Sequence, residues 1–326
     1  MNARRRRISG IAVTTVTALG LGTLSACSTD IAAGNTDAFD VVASFYPMAF
    51  LAEQIGGDHV NVTSLTAPGQ EPHDLEVSTK QRAQLEESDA ALYLKGLQPA
   101  VDEAITQSGI ETKIDAASLT SLEEHGDEVG GHTDGHDHAA EEDGHGHDHG
   151  EEGGKDPHVW LDPVKYAEVA KGVGKAFEKA DPDHAADYKK NTEALVKRLG
   201  DLNTAFETGL KDTRTKVFVT THAAFGYLAE RYGLTEEAIS GLDPESEPSA
   251  ARIKDLQRTA AADGVSTVFY ETLVSDETAK TLAKDANLRT DVLDPVEGIT
   301  DASRGDDYFQ VMEANLKALQ TALGAE

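Results

Sequence analysis

Short apolar runs alternate with helical stretches twice along this chain, and that alternation restricts the fold more than any other feature. In the first half, residues 40–45, 60–65, 90–94 and 113–117 read as strands. Helical segments fill the gaps at Tyr46–Ile55, Ser78–Ser88 and Pro99–Ser108. In the second half, residues 216–221, 238–240, 266–270 and 290–293 read as strands, with helices at 223–232, 248–262, 275–286 and 308–323. A β-α-β-α order predicts parallel sheets with helices on their faces. Between the halves lie two helical segments, Val164–Ala180 and Asp183–Lys211. The second carries Leu195, Leu199, Leu202, Phe206 and Leu210 at spacings of three and four, an amphipathic stripe, and has no glycine before Gly200. The expected fold class is α/β, with two β/α lobes joined by a long rigid helix and a ligand in the cleft between them. The lobes fall at 40–163 and 212–326, with linker helices at 164–211.

The N-terminus is a separate matter. Arg4 to Arg7 precede a short apolar run from Ile11 to Leu24, and Leu24-Ser25-Ala26-Cys27 follows. This is the pattern of a lipoprotein signal peptide over residues 1–26, with Cys27 as the lipidated new N-terminus and 27–39 as a flexible tether. Cys27 is the only cysteine, so no intrachain disulfide forms and no thiolate serves a metal. Four of the 29 basic residues and none of the 58 acids lie in residues 1–26, which leaves the remainder with a net charge of −33. Such a surface excludes nucleic acid and anionic lipid as charge-driven partners. The expected location is the outer face of the cytoplasmic membrane, held by lipid.

Histidine is distributed unevenly. Residues 125–149 hold seven of the twelve histidines, among eight acids and several glycines. Gly135-His-Asp-His138 recurs as Gly146-His-Asp-His149. This composition cannot bury a core, so the insert at 123–154 is expected to be disordered. Its His-X-His pairs make His136, His138, His147 and His149 the candidate accessory metal ligands. Directly after it comes Asp156-Pro-His-Val-Trp-Leu-Asp-Pro163, which holds the only tryptophan. His158 in that segment, His73 after the second strand, His222 after a strand of the second half, and Asp294 after the last strand share one placement. Groups at strand ends of β/α units converge on one cleft. Three imidazoles and a carboxylate suit a divalent first-row ion.

Five motifs give a specific resemblance. They are Ala-Ser-Phe-Tyr-Pro at 43–47, Pro-His-Asp-Leu-Glu at 72–76, Asp-Pro-His-Val-Trp-Leu-Asp-Pro at 156–163, Thr-His-Ala-Ala-Phe-Gly-Tyr-Leu at 221–228 and Leu-Asp-Pro at 293–295. From Asp40 to Leu323 the chain resembles the ZnuA-like zinc-binding solute-binding lipoproteins of ABC transporters (cluster A-I, family 9). The resemblance implies Zn2+ held by His73, His158, His222 and Asp294, with Glu297 or water as replacements for Asp294. Glu271 stands as a further carboxylate able to approach the cleft, whereas Glu71 sits one residue early for a ligand role. The resemblance also implies a membrane permease and a cytoplasmic ATPase as partners, and a monomer. Members that prefer manganese tend to carry glutamate at the position of His222 and to lack the insert, so both features favour zinc.

Four protein ligands fill a tetrahedral ion, whereas a catalytic zinc keeps one position open. No HExxH, GxSxG or P-loop pattern occurs. The expectation is therefore a binding protein and not an enzyme: extracytoplasmic zinc capture and delivery, with the His-rich loop as an accessory collector. The alternatives are a cell-surface zinc buffer or chaperone, or a manganese receptor of the same fold.

Overall fold

The computed structural model describes residues 38–126, 128–129 and 155–325. The first sheet runs in the order β2-β1-β3-β4, all parallel. Its strands are β1 (Phe39–Ala43), β2 (Val60–Ser64), β3 (Ala90–Tyr93) and β4 (Thr112–Asp115). Val41 sits between Val62 on one neighbour and Ala90 on the other, so the apolar runs form the centre of the sheet. The crossovers are α1 (Tyr46–Gly56), α2 (Thr79–Glu87) and α3 (Pro99–Gln107). Proline in the first turn starts α1 and α3, where the missing N–H costs nothing. A capping box of Ser78 and Gln81 starts α2.

The second sheet has the order β5-β7-β6-β8-β9. Here β6 (Val217–Thr220), β7 (Thr235–Ala238), β8 (Thr267–Tyr270) and β9 (Arg289–Val292) are parallel. Helices α6 (Gly226–Tyr232), α7 (Ala250–Ala262), α8 (Glu277–Ala286) and α9 (Tyr308–Leu323) connect and close it. The fifth member, β5 (Glu128–Val129), comes from the His-rich insert and pairs antiparallel with β7. The start of the insert is thus built into the sheet of the second half, where disorder was expected. Cys27 and His136, His138, His147 and His149 lie outside the described residues.

Two helices, α4 (Pro163–Ala180) and α5 (Ala185–Gly209), stand between the sheets. Helix α5 is shorter at both ends than the expected Asp183–Lys211, because Pro182–His184 form a 3-10 turn and the helix stops at Leu210. Its 25 residues span about 37 Å at 1.5 Å per residue. The stripe of Leu195, Leu199, Leu202 and Phe206 is buried as its spacing required. Where α4 meets α5 the backbones come close: a Cβ on Gly174 would lie 2.2 Å from Thr192 Oγ1.

One hydrophobic core runs through both halves. It includes Leu92 of β3, Val173 of α4, Leu199 of α5, Phe218 of β6 and Leu319 of α9. Segment 156–163 is fastened across it. The fully buried Trp160 donates from its indole to Pro295 O at 2.7 Å, and Tyr308 Oη donates to Trp160 O at 2.6 Å. Arg231 reaches both oxygens of the buried Asp162 at 2.6–3.0 Å, while Asp162 also caps α4 through Val164 N. The strand expected at 238–240 lies three residues earlier. Glu236 and Glu237 disguise it, because they are buried in β7 with partners: Thr220 Oγ1 and Phe225 N for Glu236, Arg252 for Glu237.

Gly174→Val should push α4 off α5. The expected loss is about 1–3 kcal/mol of stability, the usual cost of overpacking, measured as a lower denaturant midpoint.

Candidate metal centre

Four side chains from four loops meet between the two sheets. His73 follows β2, His158 opens the turn before α4, His222 follows β6, and Glu297 follows β9. One ligand atom from each lies within 4.8 Å of all the others. Glu297 Oε1 is 3.2 Å from His73 Nε2, 3.5 Å from His158 Nε2 and 3.8 Å from His222 Nε2. A tetrahedral zinc with bonds near 2.0–2.1 Å spaces its ligand atoms about 3.3 Å apart, so the cluster is already near the size such an ion needs.

Burial makes this cluster costly without a cation. His158 and His222 are 0% and 1% exposed, and Nε2 of each has no hydrogen-bond partner among the described residues. A buried, unpartnered donor or acceptor costs roughly 1–3 kcal/mol. The other ring nitrogens are held. His158 Nδ1 donates to Asp156 Oδ1 at 2.7 Å, and His222 Nδ1 to Glu271 Oε1 at 2.5 Å. Each carboxylate fixes its ring and turns Nε2 toward the centre, the arrangement that orients and strengthens a metal-bound imidazole. Both carboxylates are themselves secured: Asp156 Oδ1 also accepts from His158 N, and Glu271 Oε1 also accepts from Thr221 Oγ1.

The titration behaviour follows from this setting. Burial disfavours a charged His158, but the Asp156 and Glu297 carboxylates outweigh it and push its pKa up to about 10. His222 is raised for the same pair of reasons, with burial opposed by Glu271 and then Glu297. Burial acts to raise Glu297, yet the surrounding histidines hold it far below the ordinary carboxylate range. Without a metal, the cluster therefore takes protons into the space a cation would fill.

The three expected histidines come together, and the carboxylate that joins them is Glu297. Asp294 stands outside the four. Its Oδ1 accepts from Val296 N at 2.8 Å and its Oδ2 from Thr272 Oγ1 at 3.0 Å. Its backbone is clamped by Asn315, which accepts from Asp294 N and donates to Asp294 O. This bracing supports an unusual turn: Val296 has φ 60°, a left-handed conformation that β-branched residues rarely adopt. The turn aims Glu297 inward. Glu271, expected as an approaching carboxylate, lies behind His222. Glu71 accepts from His73 N and Asp74 N, and so fixes the loop carrying His73.

Two parallel-sheet lobes that close a buried histidine cluster between them define a two-lobed solute-binding protein. The chain belongs to the family described as ZnuA, zinc-uptake complex component A, periplasmic, which it matches over residues 41–322. It is 35% identical over 293 residues to the zinc-binding lipoprotein AdcA of Streptococcus pneumoniae (strain ATCC BAA-255 / R6), an alignment covering 88% of this chain and 56% of AdcA. The chain thus spans little more than half the length of that relative. It is 34% identical over 310 residues to the high-affinity zinc uptake system protein ZnuA of Bacillus subtilis (strain 168), covering 92% and 93% of the two chains. In structure it is similar to the Zn(II)-bound ZnuA-like domain of Streptococcus pneumoniae AdcA, with a TM-score of 0.69, 32% identity, and coverage of 88% and 99%.

Glu271→Gln should keep the fold and lower zinc affinity about 10–100-fold, the usual effect of losing a group that orients a ligand. Chelator competition, with far-UV circular dichroism as the control, measures both.

Proposed function

We propose that this protein captures Zn2+ outside the cytoplasm and delivers it to an ABC permease driven by a cytoplasmic ATPase. The observation that carries this reading is the convergence of His73, His158, His222 and Glu297, with Asp156 and Glu271 behind two of the imidazoles. Membership of the zinc-uptake family and the zinc-binding relatives support zinc as the cargo. Four protein ligands leave no open position for an activated water, which supports a receptor over a hydrolase. Asp294 holds the turn that presents Glu297. The accessory collector is the His-rich tract through His136, His138, His147 and His149, and the anchor is a lipid on Cys27.

The path of the ion follows from exposure. His73 is the least buried of the four, at 11% for its side chain. It sits on a loop with no regular secondary structure between β2 and α2. Zinc enters and leaves on that side. The core cluster that runs through both halves opposes wide lobe rotation, so a docked permease frees the ion by shifting the His73 loop.

Glu297→Gln should weaken zinc binding more than Asp294→Asn, and His222→Ala more than removal of the tract histidines. Zinc titration of the chain from residue 28 measures all four. Tight binding that survives His222→Ala and disappears with the tract would instead make the protein a surface zinc buffer.

Proton release gives a second test. His158 holds a proton through neutral pH, so zinc must displace at least that one. Affinity should fall with falling pH, by at least about one log unit per pH unit between pH 8 and 6. Titrations in buffers of different ionisation enthalpy count the same protons. A flat pH profile would refute the three-histidine assignment.

A further inference from the structure

A second cluster lies at the root of the His-rich tract. Glu123, His125 and Glu230 bring one ligand atom each within 4.8 Å of one another. His125 Nδ1 donates to Asp156 Oδ2 at 2.7 Å. The other oxygen of that same buried carboxylate holds His158 in the cleft, also at 2.7 Å. His125 is therefore oriented as His158 is, with Nδ1 on Asp156 and Nε2 directed away from it. Its Nε2 faces Glu230 Oε2 at 3.5 Å.

The neighbouring chain is shaped around this ring. A Cβ on Gly226 would stand 2.5 Å from His125 Nδ1 and 3.0 Å from Asp156 Oδ2, so only glycine leaves room for the pair. The Tyr227 ring packs edge-on against His125 with centroids 4.6 Å apart. Its hydroxyl accepts from Glu123 N and donates to Asp156 O, both at 2.8 Å. Lys165 Nζ donates to Glu123 Oε1 at 2.6 Å and holds that side chain in place.

We propose that Glu123, His125 and Glu230 form a second Zn2+ site, weaker than the cleft and joined to it through Asp156. One imidazole with two carboxylates suits a first-row divalent ion, and a carboxylate behind the imidazole is what such a ligand normally has. Three protein ligands leave a position for water or for a histidine passing the ion onward. Two features keep the site weak: the Lys165 ammonium offsets part of the charge on Glu123, and Glu230 is half-exposed, with 56% of its side chain in solvent. A weak site that accepts and releases ions is suited to transit. This deepens the reading of the tract as a zinc collector; the link to the cleft rests on that reading, whereas the site itself does not.

The test uses the chain from residue 28 to its C-terminus, with the six other tract histidines changed to asparagine. Zn2+ alone is titrated, and bound ions are counted by native mass spectrometry. Two ions per chain are expected, one tight and one weak. Glu230→Gln, on an exposed side chain that leaves the fold intact, should lower the affinity of the weak ion by about tenfold or more and spare the tight one. His125→Ala should do the same, and His222→Ala the reverse. A parent chain that binds only the tight, His222-dependent ion, or a weak ion whose affinity is unchanged in Glu230→Gln, would overturn the second site. Loss of the tight ion alone from the parent chain would count against the cleft reading and leave the second site standing.

Discussion

Burying three imidazoles and a carboxylate away from water is the constraint on which the rest of this structure depends. A charged group taken out of water must find a partner or change its protonation state. Here the partners come in layers. Asp156 and Glu271 take the Nδ1 side of His158 and His222, and the His158 backbone N–H and the Thr221 hydroxyl secure those carboxylates. What remains unpaired is the Nε2 face, turned inward from both rings. Each of these two rings is thus bonded on its outer nitrogen and open on its inner one, beside the Glu297 carboxylate, an arrangement that favours a cation at the centre.

Segment 156–163 links this chemistry to the architecture. Within eight residues it provides a candidate ligand, His158, the carboxylate that orients it, Asp156, a core anchor, Trp160, and a helix cap that also pairs with Arg231, Asp162. Its bonds to Pro295, Tyr308, Tyr227 and Arg231 all reach the second half of the chain. The position of one imidazole is therefore fixed by contacts from both lobes, which gives it the precision a tetrahedral ion demands.

Much of this was legible in the sequence. His73, His158 and His222 could be found because each follows a regular apolar run or sits in a proline-framed segment, and strand ends converge. The central strands were legible for a related reason, since β3, β6 and β8 are buried and read as short apolar runs. Glu297 was harder to place. Counting from the end of β9 favours Asp294, and nothing in Val296 announces a left-handed backbone; the turn exists because Asp294 and Asn315 brace it. Strand β7 was misplaced because Glu236 and Glu237 look exposed until Thr220 and Arg252 supply their partners. His125 read as one more histidine in a polar tract. Only the fold sets it on Asp156, though the glycine that makes room for it, Gly226, lies inside a quoted motif.

The continuous core has a consequence beyond positioning. When a central core joins two lobes they melt together, and an ion that binds only the folded form stabilises the whole chain by mass action. A loaded molecule is then harder to unfold at every point, including places far from the cleft. Proteases that act on transiently open chains will degrade the metal-free form faster. Ion occupancy thereby sets the lifetime of the molecule.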